Sequence, residues 1–476
     1  MKVSAKISMF RLDELGDCFL VTFTANGASS RMLIDCGSFR NSTTSVARLK
    51  AIAGKIKKAL AGQPLDVVVG THQHNDHLSG FVHCKTEFKA MKIQQVWLSW
   101  LDNPEDKKAQ AIGSAHQNLM KGLHDARAVL AKKFRGDTGA TAMGARSLGM
   151  VEDMLGFHGA AAAGGPPKIP AEGVRLLKTF GKQKPEYLRP GRTIDMPGLP
   201  PGAVRVHVLG PPRKEGVEKK DDPLYRKNPR SGESYDPALA AAGIQIGKFL
   251  DALRSGSARA SAEEQNYPFN ENYKCHRPKT GELRAIQARY KRNSAWRSID
   301  EDWLMQAGAL ALYLDTFTNN SSLVLAIELV ESRKVLLFAA DAQSGNWASW
   351  NEVPWANADV KTDDLLARTV FYKVGHHASH NATLVQAFEK MTHPDLVAFI
   401  PVNKNDANIT KKNGWKMPAK NLFKKLVEKT KNRVLQMDDE NPPSCNPKKD
   451  PAKKSWKRVG ITPVITPDTV EIEIKG

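Results

Sequence analysis

Residues 67–81 read VVVGTHQHNDHLSGF. Three valines in a row form a buried strand in which β-branched side chains pack well. Gly70 and Thr71 then break the apolar run, and His72, His74, Asp76 and His77 follow within six residues. A strand tip and the short loop after it let alternate side chains converge on one point. The spacing therefore predicts that His72 and His74 share one cation through ring nitrogens, while Asp76 and His77 reach a second nearby.

Such a centre needs donors from other parts of the chain, and three further strand ends offer them. KVLLFAADAQSG (334–345) is an apolar run that stops at Asp341, and FYKVGHHASHNAT (371–383) stops at His376 and His377. Open α/β folds collect ligands at the carboxyl ends of their strands. Asp35, in LIDCG (33–37), ends a fourth run and is placed to hold a ligand histidine from behind. His83, His116, His124, His158, His276 and His393 read as ordinary surface or core histidines.

Around these motifs the chain reads as α/β. KISMFRL, DCFLVTF and RMLIDCG predict an antiparallel meander, followed by a helix over 45–60 and strands over 67–69 and 92–100. Helices are predicted over 103–134 and 145–157, with a flexible linker HGAAAAGGPPKIPAEG after them, so that 101–175 forms a helical insertion. A second, basic insertion is predicted over 213–315. Its first helix starts at Asp236-Pro237 and ends at Gly256, and its last opens with a Ser298–Glu301 capping box. Between them, Tyr290 and Trp296 interleave with basic residues, a pattern suited to stacking on single-stranded nucleic acid or to an ordinary basic helix. An amphipathic helix over 419–431 and a strand DTVEIEIKG close the chain, which reads as one domain over 1–476.

Bulk properties narrow the function classes. No apolar run is long enough to cross a bilayer; the longest, SSLVLAIELV (321–330), ends in charged residues. Arg11, Asp13 and Glu14 fall where a signal peptide needs its apolar stretch, so no export by that route is expected. Five scattered cysteines without a Cys-x-x-Cys spacing suit a reducing cytoplasm and argue against a disulfide framework or zinc finger. Seventy Lys and Arg against fifty Asp and Glu give a net charge of +20, which attracts polyanions, nucleic acid above all.

Together the motifs resemble the metallo-β-lactamase fold superfamily: LIDCG, THQHNDHLSG, AADA and HHAS occur in order. They are closer still to the hydrolase domain of ComEC-type bacterial competence proteins. GDCFLVTF, LGPP, NNSSLVLAIEL (319–329) and a Lys-x-x-His-His-x-Ser turn carry that likeness, over roughly 1–100, 185–212 and 318–400. The resemblance implies a four-layer αββα fold carrying two largely helical insertions. It implies two divalent ions at His72, His74, Asp76, His77, Asp341 and His377, with Asp341 bridging and His377 favoured over His376. With His and Asp ligands and no thiolate, zinc is the first choice and manganese the second.

This chain departs from the family pattern at Ala340 and Ala378, where glycine is usual. It also lacks an obvious third histidine for the first ion; His207, in VRVHVLGPP, lies before the turn rather than in it. The resemblance further implies that Asp76 orients the attacking water and that His380 or His376 assists the leaving group. Lys373 is placed to neutralise a phosphate, and Ser379 and Asn381 to meet substrate, with Ser379 also positioned to cap the following helix. The expected function is a phosphodiesterase or nuclease acting on DNA or RNA. Hydrolysis of a small ester or phosphoester (lactone, phosphocholine or nucleotide) is the alternative. A metal-binding component of a multiprotein, defence-type bacterial system is a third, with the insertions carrying the partner surface and no membrane involved.

Overall fold

The computed structural model describes residues 2–134, 142–159, 169–213, 281–292, 302–411, 414–440 and 451–476. Fifteen strands among these residues build two sheets. The first runs in the order β14 (Val464–Ile465), β15 (Thr469–Lys475), β1 (Val3–Phe10), β2 (Phe19–Ala25), β3 (Ala28–Ile34), β4 (Leu65–Gly70), β5 (Ile93–Ser99), β6 (Glu186–Leu188). The second runs β13 (Val434–Gln436), β12 (Val397–Ile400), β11 (Thr369–Lys373), β10 (Lys334–Phe338), β9 (Val324–Leu329), β8 (Val204–Gly210), β7 (Thr193–Asp195).

The meander expected at the start is present: β1 and β2 pair antiparallel, and so do β2 and β3, with Ala25 opposite Ala28 across the hairpin. From β3 onward the first sheet is parallel, as is the second from β10 to β13. Parallel pairing buries both faces of a strand, and the alternation along the second sheet shows where each face goes. Leu325, Ile327 and Leu329 point into a core shared with the first sheet, whereas Val324 and Ala326 point into a second core under helices. Leu336 and Phe338 against Val335 and Leu337 repeat the pattern one strand over.

Helix α1 (Thr43–Leu60) covers the first sheet with Leu49, Ile52, Ile56 and Leu60. The Ser42 hydroxyl caps it by accepting from the Ser45 N–H at 3.2 Å, and it ends at Ala61 in the left-handed conformation. Helix α2 (Asn75–His83) begins inside the histidine loop, and α3 (Lys85–Lys89) follows at once. The layers are therefore helix, sheet, sheet, helix: the α/β architecture with helical insertions that the motifs implied.

Some boundaries differ from expectation. Helices α4 (Lys107–Phe134) and α5 (Ala142–Phe157) fall where helices were predicted, but α6 (Ile169–Phe180) begins inside the stretch read as a linker and runs past 175. It does so because Val174 and Leu177 bury against the core of the first sheet. After α7 (Gly281–Arg292), helix α8 (Asp302–Asn320) continues past 315 and takes in Asn319 and Asn320, so the strand expected from Asn319 starts at Val324. Ala307, Leu310, Ala311 and Leu314 share the second core with α4, α5 and β9, so this helix is part of the outer layer. The Asp236 helix, the Ser298–Glu301 box and the side chains of Tyr290 and Trp296 lie outside the described residues. No helix among the described residues is long and apolar enough to cross a membrane.

Candidate metal centre

Five strand tips point at one place. Asp17 precedes β2, Asp35 follows β3, the histidine loop follows β4, Asp341 follows β10 and His376-His377 follow β11. Two glycines let the tips close up. A Cβ on Gly37 would overlap the backbone of Asp76 and His77, and one on Gly16 would overlap the Gly37 carbonyl. The turns carrying Asp17, Asp35 and Asp76 therefore stack backbone to backbone. The Asp17 N–H donates to the Asp76 carbonyl at 2.9 Å, and the Cys36 N–H to that of His77 at 2.9 Å.

Asp17, His77, Asp341 and His377 each offer a donor atom within 4.8 Å of the others, and all four are buried. His77 Nε2 lies 3.2 Å from Asp341 Oδ2, and His377 Nε2 lies 3.4 Å from the same oxygen and 3.0 Å from Asp76 Oδ2. Each imidazole is oriented from its far side. His77 Nδ1 donates to Asp35 Oδ2 at 2.7 Å, and that carboxylate also accepts from the Thr71 N–H (2.9 Å) and hydroxyl (2.7 Å). His377 Nδ1 donates to the Pro401 carbonyl at 2.8 Å. An acceptor on Nδ1 leaves the Nε2 lone pair free for a cation.

The carboxylates are divided in the same way. Lys373, buried, donates to one oxygen of Asp17, to Asp341 Oδ1 at 3.2 Å and to the Ala340 carbonyl at 2.8 Å. The His376 N–H also donates to Asp341 Oδ1, at 3.2 Å. What remains is bare: Asp17 Oδ1, Asp76 Oδ1, His77 Nε2 and Asp341 Oδ2 are buried without an aligned hydrogen-bond partner. Buried polar atoms are almost always satisfied, so orphans on Asp17, His77 and Asp341, three members of the converging group, fit a divalent cation.

The electrostatics agree. Burial opposes charge on His77, but Asp341, Asp17, Asp35 and Asp76 outweigh it and raise its pKa well above the ordinary value. Burial likewise opposes charge on His377, which Asp341, Asp76 and Asp17 nevertheless push up to about 10. Burial raises the Asp17 carboxyl despite Lys373. Asp341 is drawn well below its usual range, because His77, His377 and Lys373 overcome its desolvation. The pocket is an anionic hole that takes up protons when nothing else supplies positive charge.

Other candidates sit around this group. The His72 ring lies 4.2 Å from that of His77, and its Nε2 faces His74 Nδ1 at 3.1 Å; burial drives both His72 and His74 well below the usual histidine pKa. His376 belongs to an amide shell, with Nε2 3.4 Å from Asn319 Nδ2 and Nδ1 3.3 Å from Asn381 Oδ1. Burial lowers its pKa to about 4. Ser379 donates to Asn381 Oδ1 at 3.0 Å and caps nothing, since the next helix starts at Val385. His380 and Asn381 are partly exposed.

Lys373 is buried, with its ammonium paired inside the protein to Asp17 and Asp341. His207 is bound to Glu328 at 3.0 Å and Thr193 at 3.0 Å on the far strands, away from the centre. Sequence reading gave Asp17 no role, although the Gly16-Asp17 turn was visible. It also passed over His158, whose ring lies 4.9 Å from that of His74. Asp315 was overlooked as well: burial, then Asp341, raises its carboxyl to about 7 beside Gln343.

The two family-unusual alanines explain themselves. Ala340 (φ 46°) and Ala378 (φ 60°) adopt the left-handed backbone, as do Asp35, His376 and His377. Glycine suits such positions because a Cβ is strained there.

Residues 12–113 match the family model described as metallo-beta-lactamase superfamily, a stretch that includes Asp17, Asp35 and the histidine loop. No curated protein matches the chain. The sandwich of sheets, the cation-ready cluster at its strand tips and this match together support a metallo-β-lactamase superfamily domain in this chain.

Proposed function

We propose that the chain is a metal-dependent hydrolase of phosphodiesters, with DNA or RNA as the substrate class, resembling the ComEC-type hydrolase domain. The observation that carries the reading is the convergence of Asp17, His77, Asp341 and His377, with buried donor atoms of Asp17, His77 and Asp341 lacking any hydrogen-bond partner. The net charge of +20 favours a polyanion over a neutral ester. A divalent ion held there, zinc or manganese, supplies Lewis acidity and a water of lowered pKa.

The chain's own residues prepare the rest. Asp35 and Pro401 fix the two imidazoles so that binding requires no reorientation. Lys373 pins one oxygen of Asp17 and one of Asp341, which leaves the other of each aimed inward. Asp76 keeps Oδ1 free to accept from an attacking water while Oδ2 rests on His377. Complete burial of Asp76, His77, Asp341 and His377 strengthens each of these interactions by excluding bulk water. His380, partly exposed, is the residue proposed to assist the leaving group, and Asn381 to meet substrate.

The test is to strip the full-length protein of metal, reload it with zinc or manganese, and assay it on labelled single-stranded DNA, RNA and cyclic dinucleotides. Bis-p-nitrophenyl phosphate and a p-nitrophenyl carboxylate ester complete the panel. Metal-dependent cleavage of a phosphodiester, lost in Asp76→Ala and Asp341→Ala, is expected. Turnover of the carboxylate ester alone points to the small-ester reading, and no turnover of any substrate overturns the hydrolase assignment.

A further inference from the structure

Beside the carboxylate-lined centre, three imidazoles meet where the end of α5 reaches the histidine loop. His72 Nε2 faces His74 Nδ1 at 3.1 Å. The His158 ring stands edge-on to that of His74, with centroids 4.9 Å apart and planes at 76°. All three side chains are buried, none in a residue more than 5% exposed, and the Nε2 atoms of His74 and His158 have no hydrogen-bond partner. A bare buried nitrogen is costly, and that of His158 lies beside the His72–His74 pair with no hydrogen-bond partner.

The backbone that delivers His158 is fitted for the purpose. Gly159 ends α5 in the left-handed conformation (φ +74°), donating its N–H to the Gly156 carbonyl at 2.9 Å. A Cβ at 159 would press on Ile169, Pro170 and the side-chain oxygen of Asn75, the residue between His74 and Asp76. Gly156 lies so close to the Phe39 ring that a Cβ would sit 2.9 Å from it. Phe157 stacks on Trp415 (5.2 Å, 23°) and meets Phe39 edge-on at 4.6 Å. The residues on either side of His158 are thus held against the loop that carries His74.

We infer that His158, supplied by the helical insertion, is the missing third nitrogen ligand of the ion that His72 and His74 are expected to share. This rests on the metal-binding reading above. Two nitrogens sharing one tetrahedral ion stand about 3.4 Å apart at zinc–imidazole bond lengths of about 2.0–2.1 Å. His72 Nε2 and His74 Nδ1 already have nearly that separation, so His158 alone has to turn, and no hydrogen bond restrains its Nε2. Three imidazole ligands favour zinc or a similar borderline ion over magnesium or calcium.

The experiment counts ions and reads their environment, independently of turnover. Full-length wild type, His158→Ala, His158→Gln, His116→Ala and Asp341→Asn are stripped and titrated with zinc. Bound metal is measured by mass spectrometry of elements, and cobalt substitution is followed by visible absorption. Wild type is expected to take two ions. Both His158 variants should keep one, lose at least the roughly 10–100-fold in affinity that removing an outer partner already costs, and lose one cobalt band. Circular dichroism of the metal-free proteins separates this result from misfolding. His116→Ala should keep both ions, because His116 Nε2 rests on the Thr318 hydroxyl at 3.2 Å. Unchanged stoichiometry and affinity in both His158 variants, or equal loss in His116→Ala, overturns the inference. A wild type holding a single ion that Asp341→Asn abolishes also overturns it while leaving the hydrolase reading intact. A wild type holding none overturns both.

Discussion

Asp35 Oδ2 stands 2.7 Å from His77 Nδ1, and the same carboxylate is gripped by both the N–H and the hydroxyl of Thr71. The aspartate thereby sets which nitrogen of His77 faces the centre. Replacing it with Asn keeps the shape but offers an amide that can present the wrong group to Nδ1. Asp35→Asn is expected to weaken divalent-ion binding roughly 10–100-fold, with the fold intact by circular dichroism; metal titration by calorimetry checks it.

Lys373 is the fixed cation between Asp17 and Asp341. Removing one partner of a buried ion pair strands the other charges and costs about 3–5 kcal/mol. Lys373→Met should lower metal-free stability by that amount in urea unfolding. Adding Asp17→Asn should restore part of it, because one stranded carboxylate disappears; a double variant as unstable as the sum of the singles contradicts the pairing.

Glu328 carries a pH signature remote from the centre. Burial opposes its charge, but hydrogen bonds from His207 and Arg368 win and lower its pKa from 4.5 to about 2. Its stabilisation is fully present above the ordinary glutamate value and fades as pH falls through about 2. Glu328→Gln should cost about 1–3 kcal/mol at neutral pH. The gap to wild type should close on acidification below about pH 4.5; parallel denaturation curves at several pH values measure it.

Gly37 leaves no room for a methyl group against Asp76 and His77. Gly37→Ala must push the histidine loop away from the Asp35 turn, a strain of about 1–3 kcal/mol or more by overpacking. Loss of metal affinity together with a lower thermal midpoint is expected, and a variant that binds metal like wild type would refute the close stacking.

Much of the centre was legible because its ligands announce themselves: Asp35, the 72–77 loop, Asp341 and His377 each follow an apolar run broken by small residues. Asp17 did not, since it opens a strand instead of closing one and has no histidine beside it. The direction of Lys373 was hidden for another reason. A lysine at a strand end reads the same whether it faces solvent, substrate or two buried carboxylates, and only the neighbouring strand tips decide. The insertion bounds read at 175 and 315 fall inside helices, Ile169–Phe180 and Asp302–Asn320. Ala307, Leu310, Ala311 and Leu314 carry the i, i+3, i+4, i+7 spacing of a core face, and that periodicity was the better guide. The nearness of His158 to His74 spans 84 residues of chain and has no local signal.

The outer face of the second sheet, with Val324, Ala326, Val335 and Leu337, is roofed by α4, α5 and α8. Cutting those helices away to obtain a minimal fragment would strip an apolar strip bare and yield an aggregating product. Evolution faces the same constraint: this scaffold can reshape the outer surface of its roof, but it cannot discard the roof.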